Sequence, residues 1–154
     1  MTGNSRFAVS VHILSYLVYK QGAAVPSSEI AASVCTNAVV IRRLLSALVK
    51  ARLVSAQKGA SGGFSLASAP ANISLLDIYR AVEPKTDYGM STFAPNHKCP
   101  VGAKIESILQ TLFFKAQTAM ETELEGMTMA DVHTQLRPVC PGKKCYFLPI
   151  YVTI

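Results

Sequence analysis

Acidic residues are scarce in this chain, and tryptophan, a cysteine framework and a long apolar run are missing. These absences argue against several classes of protein. Only nine of its 154 residues are Asp or Glu, against fifteen Lys or Arg, and it contains no tryptophan. Its four cysteines are too few and too scattered for the disulfide framework of a small secreted domain, so we expect mostly reduced thiols. The longest strongly apolar run, Phe7 to Tyr19, is too short to span a bilayer, and no basic and apolar leader precedes it. We therefore expect a cytoplasmic protein with no membrane partner.

Catalytic patterns are missing as well. The sequence contains no Ser/His/Asp or paired-carboxylate arrangement that would indicate an enzyme. Gly62 and Gly63 lack the lysine and the strand–helix context of a phosphate-binding loop. Half of the residues are hydrophobic and only 16% are charged, which is low for a monomer and indicates a buried interface between subunits.

The positive charge is concentrated in one half of the chain. Residues 1–70 contain seven Lys or Arg and a single acidic residue, Glu29, whereas residues 71–154 contain eight of each sign. The whole net charge of +6 therefore belongs to the N-terminal half. Because neutralising phosphates requires cations on one surface, this asymmetry indicates a nucleic-acid partner, with a randomly basic surface as the alternative.

The N-terminal part has the element order of a winged helix–turn–helix. Apolar residues recur at helical spacing in three segments, and an alternating segment then leads to a glycine-rich turn. The predicted elements are a helix from Ser5 to about Lys20, a short helix capped by Ser27 or Ser28, a helix capped by Thr36 or Asn37 and ending near Ala51, and two strands at Leu53–Lys58 and Phe64–Leu66. In the third helix the inward-facing residues are predicted to be Val40, Leu44, Ala47 and Leu48.

The C-terminal part is predicted to consist mainly of helices. A fourth helix is capped by Ser74, a long helix runs from about Val101 to Glu125, and a short one spans Met129 to Leu136. The long helix carries an apolar stripe that indicates a core or a dimer interface: Ile105, Ile108, Leu112, Ala116, Ala119 and Leu124. We divide the chain into a DNA-binding domain (1–83), a loop (84–100), dimerisation helices (101–136) and a tail of unknown role (137–154). The predicted fold class is mostly α with a small β-wing.

The candidate DNA contacts lie on the third helix, the wing and the helix starts. Asn37 can bond a phosphate or a base edge, and Arg42 or Arg43 can contact guanine or a phosphate. The two arginines are about 100° apart on a helix, so we expect only one to reach bases. For either arginine the alternative is an ion pair with Glu29 or a position along the surface. The full predicted set is Arg6, Ser28, Thr36, Asn37, Arg42, Arg43, Lys58, Ser61 and Gly62.

Several segments resemble the Rrf2 family of bacterial transcription regulators. They are RFAV at 6–9, EIA at 29–31, VIRRLL at 40–45, KGASGGFSLA at 58–67, ISLLDIYRAVE at 73–83 and NHKCPVG at 96–102. The resemblance covers roughly residues 4–136 and implies a homodimer whose long helices pair and whose two winged modules bind a palindromic operator in double-stranded DNA. On this reading the protein is a sequence-specific regulator, and we expect a repressor.

The chain departs from the iron–sulfur members of that family. Those members carry three cysteines in the loop after the fourth helix, where this sequence has only Cys99. One thiolate cannot ligate a cluster in the usual way, so the resemblance is to a subgroup that lacks the iron–sulfur cysteines, and no cofactor or metal is expected. His97, Cys140 and Cys145 could complete a site with Cys99 only at a spacing that matches no known pattern.

Two cysteines leave a sensing role open. Cys35 precedes the third helix, and Cys99 precedes the long helix, positions at which a helix N-terminus lowers the pKa of a thiol. One alternative function is therefore a redox or small-molecule sensing regulator that uses Cys35 or Cys99, against the simpler interpretation that Cys35 fills a turn. A further alternative is a protein-interaction module that does not bind DNA.

Overall fold

The computed structural model describes residues 5–59, 62–83, 95–96 and 98–136. Within these ranges the chain forms six α-helices and one antiparallel pair of strands. The elements are α1 (Ser5–Tyr19), α2 (Ser27–Val34), α3 (Ala38–Lys50), β1 (Val54–Gln57), β2 (Gly63–Leu66), α4 (Leu75–Val82), α5 (Ile105–Glu125) and α6 (Met129–Leu136). This order confirms the predicted fold class, mostly α with a small β-wing.

The turn between α2 and α3 is built by Cys35 and Asn37. Cys35 adopts the left-handed conformation with φ of 54°, and its backbone N–H donates to the carbonyl oxygen of Ala32 at 3.3 Å. Asn37 then begins α3, because its Oδ1 accepts a hydrogen bond from the N–H of Val39 at 2.8 Å. The prediction that Cys35 lies in the turn is confirmed, and of the two predicted caps of the third helix, Thr36 and Asn37, the structure has Asn37.

The predicted cap of α2 was wrong. Pro26, in an extended conformation with φ of −62°, occupies the cap position without a side-chain hydrogen bond, and Ser27 is already helical. The N–H groups of Glu29 and Ile30 donate to the carbonyl oxygen of Pro26 at 3.1 and 3.2 Å. The backbone therefore closes the first turn, which leaves the exposed Ser28 uninvolved in capping.

The core packs α1 to α4 and α6 around the base of the wing. Ile13, Leu14, Ile30 and Ile78 are among its fully buried side chains. In α3 the buried residues are Ile41, Leu44, Leu45 and Leu48, whereas Val40 and Ala47 are only half-buried. Val40 and Ala47 pack against the core, as predicted, but at the edge of an apolar stripe that is centred on Ile41, Leu45 and Leu48.

A capping box starts α4. The Oγ atom of Ser74 accepts a hydrogen bond from the N–H of Asp77 at 3.1 Å, and Oδ2 of Asp77 accepts one from the N–H of Ser74 at 3.0 Å. The start of α6 is joined to this point, since the N–H of Leu75 donates to Met127 and the N–H of Met129 donates to Ile73, both at 2.9 Å. Met129 is fully buried, so α6 closes the same core.

We expect the change Ser74→Ala to destabilise the fold. It removes the cap acceptor, a loss of about 1 kcal/mol, which lowers the melting temperature by about 2 to 4 °C in a chain of this size. Thermal unfolding followed by circular dichroism measures this loss. The matched control is Ser68→Ala, at an exposed serine in the turn after β2. Equal melting temperatures for the two variants would contradict the capping account.

Helix α5 begins later than the sequence indicates. Residues 101–104 form a turn, and the helix starts at Ile105, so it has 21 residues and a length of about 32 Å at roughly 1.5 Å per residue. All of α5 lies in the described part of the chain, and none of its residues is buried. Ile108 and Leu112 are 58% and 57% exposed, so this part of the stripe lies outside the core, whereas Leu124 at its far end packs against the core.

No single helix within the described ranges is long and apolar enough to cross a membrane. Helices α2 and α3 together have the length and apolar composition of a membrane span, but their axes are bent by 113° at the turn between them.

A candidate nucleic-acid interface

The outward face of α3 carries the cationic side chains that the sequence singles out. Arg42 and Arg43 are both exposed, and their adjacent positions place them about 100° apart, one on each flank of that face. The exposed Ser46 and Lys50 follow one and two turns later, at angles around the helix axis between those of the two arginines. The opposite face of α3 is buried in the core, so the helix is fixed with these side chains towards solvent.

Glu29 does not pair with either arginine. Its Oε1 atom accepts a hydrogen bond from the hydroxyl of Tyr16 at 2.9 Å and lies 2.6 Å from Nζ of Lys20. The hydrogen bonds from Lys20 and Tyr16 lower the pKa of the Glu29 carboxyl. Glu29, the single acidic residue of the first seventy, is thus engaged by α1, and the ion-pair alternative for Arg42 and Arg43 is wrong.

The candidate DNA contacts at the starts of α2 and α3 differ in exposure and in the hydrogen-bonding groups that remain free for DNA. Oδ1 of Asn37 accepts a hydrogen bond from the Val39 N–H, and the NH2 group of the side chain can donate to a phosphate or a base. Ser28 is exposed in the first turn of α2. Thr36 is half-buried, and its N–H donates to the carbonyl oxygen of Ala31 at 3.2 Å. Asn37 and Ser28 therefore face solvent, whereas Thr36 is partly used by the turn.

The wing places Lys58 at its tip. Strands β1 and β2 pair in register from Val54 opposite Leu66 to Gln57 opposite Gly63, and the exposed Lys58 follows β1 directly. The N–H of Gly62 donates to the carbonyl oxygen of Gly59 at 2.9 Å, which closes the tip. A Cβ atom on Gly62 would lie 2.5 Å from the carbonyl oxygen of Gln57, so this tight return requires glycine. Ser61 lies outside the described residues.

Arg6 is brought to the same side of the molecule as Arg43. Both line a cleft between the first turn of α1, the outer edge of α3 and the last turn of α4. The start of α1 is held there by Glu83, whose Oε1 accepts a hydrogen bond from the N–H of Phe7 at 3.1 Å. The Phe7 ring also packs edge-on against Tyr79 at 5.8 Å between centroids.

One exposed residue of this face was missed by the sequence reasoning. Val39 lies in the first turn of α3, between the flanks that carry Arg42 and Arg43, and is 48% exposed. An apolar side chain there can contact the methyl group of thymine. The sequence contains the signal, because Val39 falls opposite the buried Ile41 and Leu45 on a helical wheel.

The two candidate sensing thiols have different surroundings. Cys35 is exposed, and its Sγ atom lies 3.5 Å from the carbonyl oxygen of Ala32. Cys99 is also exposed, in the turn before α5, where backbone N–H groups of Gly102 and Val101 stabilise the thiolate and lower the pKa of the thiol. The chemistry of a reactive thiol is therefore better supported at Cys99.

We expect Cys99 to be alkylated with a midpoint at lower pH than an ordinary thiol. A lowered pKa leaves more thiolate at neutral pH, and the thiolate is the reacting form. Peptide-resolved mass spectrometry after a short pulse of iodoacetamide at pH 6 to 9 reads each cysteine separately, with free cysteine as the reference for an ordinary thiol. A midpoint for Cys99 at or above that of free cysteine would contradict the backbone stabilisation.

The described residues do not provide a metal site. No group of three or more His, Cys, Asp or Glu within them lies close enough to hold an ion. Cys99 is exposed and is the only cysteine in the described residues near the start of α5, whereas iron–sulfur ligation uses several thiolates. His97, Cys140 and Cys145 lie outside the described ranges. This donor set does not fit an iron cluster.

Comparisons with known proteins point to one family. The sequence model of the family described as Rrf2, iron-dependent transcriptional regulator, matches residues 3–135. YwnA of Bacillus subtilis (strain 168), provisionally named an HTH-type transcriptional regulator, is 45% identical over 134 residues, which are 86% of this chain and 98% of YwnA. The relatives found are named as regulators or DNA-binding proteins, not enzymes, as the sequence predicts.

Two solved structures are similar in both sequence and fold. One, provisionally assigned as a DNA-binding protein, is 42% identical with a TM-score of 0.67 and covers 83% of this chain and 98% of its own. The other, provisionally assigned as a transcriptional regulator from Lactobacillus plantarum, is 32% identical with a TM-score of 0.74 and covers 86% of this chain and 89% of its own.

Proposed function

Because the chain belongs to the Rrf2 family of transcriptional regulators, we propose that it binds a palindromic operator in double-stranded DNA as a homodimer and represses transcription. The observation that carries the proposal is the outward face of α3. Its buried face fixes the helix, and Arg42 and Arg43 face solvent with no described carboxylate in ion-pair contact. An α-helix of this kind fits the major groove of B-DNA.

The side chains of this face divide by chemistry into base readers and phosphate contacts. A guanidinium from Arg42 or Arg43 can bond two acceptors of guanine, and Val39 can contact a thymine methyl. The amide group of Asn37 and the guanidinium of Arg6 suit phosphates on either side of the groove. Lys58 at the wing tip suits the backbone or the minor groove beside it. We therefore propose these residues as the DNA contacts.

The homodimer is supported by the exposed face of α5. Ile105, Ile108 and Leu112 follow one another at spacings of three and four residues, and each is at least 38% exposed. A contiguous apolar stripe of this length is unfavourable in water and is typical of a protein interface. A second copy of α5 has the same stripe, so the two can cover each other about a two-fold axis.

Genomic selection tests this function. The purified protein is mixed with sheared DNA of its own genome, and the bound fragments are sequenced. We expect enrichment of inverted repeats whose half-sites are one turn of DNA, about 10 base pairs, or a multiple of it apart. The Arg42→Ala/Arg43→Ala double variant is the matched control and should enrich nothing. No enrichment by the unaltered protein, or equal enrichment by the control, would contradict the proposal.

A further inference from the structure

The cleft that Arg6 and Arg43 line combines two positive charges with aliphatic side chains, and DNA binding alone does not require the aliphatic part. It has a volume of about 260 Å³ and lies at the edge of the proposed DNA-binding face. Its floor is taken to be the four aliphatic lining residues, and its two polar lining residues in the described chain are arginines, one from α1 and one from α3. The lining residues are Arg6, Val40, Arg43, Leu44, Ala47 and Val82.

The lining of the cleft contains no described acidic residue. Neither Arg6 nor Arg43 forms an ion pair within the described ranges. The nearest carboxylate along the chain, Glu83, is engaged through Oε1 by the N–H of Phe7. Two arginines that line one cleft without a described ion-pair partner can bind an added anion, and guanidinium matches carboxylate in geometry.

The aliphatic floor of the cleft favours an anion that carries an apolar group. Val40, Leu44, Ala47 and Val82 offer only aliphatic surface, which gains free energy by covering an apolar body and gains nothing from a bare phosphate. The cleft is open to solvent on one side, and its volume of about 260 Å³ admits a small molecule. A monocarboxylate of about six carbons, with its charge at the rim and its chain on the floor, has that size.

We propose that this cleft binds a small organic monocarboxylate with a short apolar body, and that the bound ligand releases the protein from DNA. The second half rests on the proposed function, because the ligand and the operator would compete for the side chain of Arg43. Binding of the ligand itself does not depend on that function. The site is distinct from the thiol of Cys99 and from the stripe of α5.

Calorimetric titration with hexanoate tests the site. We expect a dissociation constant on the order of 1 mM for so small a ligand. The neutral isostere hexanamide should bind about tenfold more weakly, because it lacks the charge-assisted hydrogen bonds. Diethyl phosphate, an anion of similar size that resembles a DNA phosphodiester, should also bind at least about tenfold more weakly, because it has no single apolar chain to cover the floor. Equal binding of hexanoate and hexanamide, or of hexanoate and diethyl phosphate, would overturn the proposal, and so would no binding of hexanoate.

Two variants locate the binding. Ala47→Leu fills the floor and keeps both arginines, and Arg6→Gln removes one charge from the exposed rim without disturbing the core. Each should reduce hexanoate affinity about tenfold or more. Lys98→Gln, at an exposed lysine in the turn before α5, removes the same charge outside the cleft and should leave it unchanged. Unaltered affinity in Arg6→Gln, which has little reason to misfold, would overturn the proposal even if Ala47→Leu were unstable.

The regulatory half is tested with the operator. At ten times its dissociation constant, hexanoate should weaken operator binding about tenfold, whereas acetate at the same ionic strength should not. Hexanoate binding without this competition would overturn the regulatory half. Failure of the ligand-free protein to bind any operator would instead count against the proposed function, and the calorimetric result would still decide whether the cleft is a carboxylate site.

Discussion

Replacing Arg43 with alanine is expected to weaken operator binding by about 5- to 150-fold, corresponding to one good base or phosphate contact of 1 to 3 kcal/mol. The expectation follows from the exposure of Arg43 on the outward face of α3 and from the absence of a described ion-pair partner. Fluorescence anisotropy with the selected operator, repeated at several salt concentrations, measures the loss. If Arg43 contacts a phosphate, the slope of affinity against salt should fall by about one.

The matched control is Arg80→Ala. Arg80 is an exposed arginine on α4 that pairs with Glu121 at 2.6 Å, away from α3, and such a surface pair contributes little to stability. Its loss should leave operator affinity nearly unchanged. If Arg43→Ala bound the operator as tightly as Arg80→Ala, α3 would not be the helix that contacts DNA.

Replacing Leu112 with glutamate is expected to separate the two protomers. Leu112 is 57% exposed in the protomer, so the change should leave the fold intact, but it puts a charge into the apolar stripe of α5. A protomer with one winged module cannot hold both half-sites at once. Operator affinity should therefore fall by about 10²- to 10⁴-fold, the usual gain from linking two binding modules. Sedimentation equilibrium gives the mass, and anisotropy gives the affinity.

The control for this change is Gln110→Glu. Gln110 is exposed on the same helix but lies about 160° around it from Leu112. The same charge at that position should leave the dimer and its operator affinity unchanged. A dimeric Leu112→Glu, or a monomer that still binds the operator at full strength, would show that the stripe of α5 does not hold the functional assembly.

Local patterns predicted the fold well. The cap at Asn37, the capping residue Ser74 and the stop at Gly126 each act within a few residues of sequence, so each could be read without tertiary information. The start of α2 was missed because the carbonyl oxygen of Pro26 replaced the expected serine side chain. The start of α5 was placed four residues early, since residues 101–104 form a turn although Val101 continues the apolar spacing.

The candidate site was predictable in its residues but not in its arrangement. Exposure of Arg42 and Arg43 follows from the helical wheel, whereas the engagement of Glu29 by Tyr16 and Lys20 depends on how α1 packs against α2. The meeting of Arg6 with Arg43 joins residues far apart in the chain, and only the folded protein brings them to one cleft. The division into domains and the individual DNA contacts remain predictions.

The central claim is that two protomers bind the same face of one DNA duplex. Changing the spacing between the two half-sites tests this claim most directly. Operator affinity is compared between the selected sequence and the same sequence with five base pairs, about half a turn, inserted between its half-sites. We predict that native mass spectrometry gives two protomers per duplex for the selected sequence, and that the insertion lowers affinity by about 10²-fold or more. Unchanged affinity after the insertion, or one protomer per duplex on the selected sequence, would contradict the account.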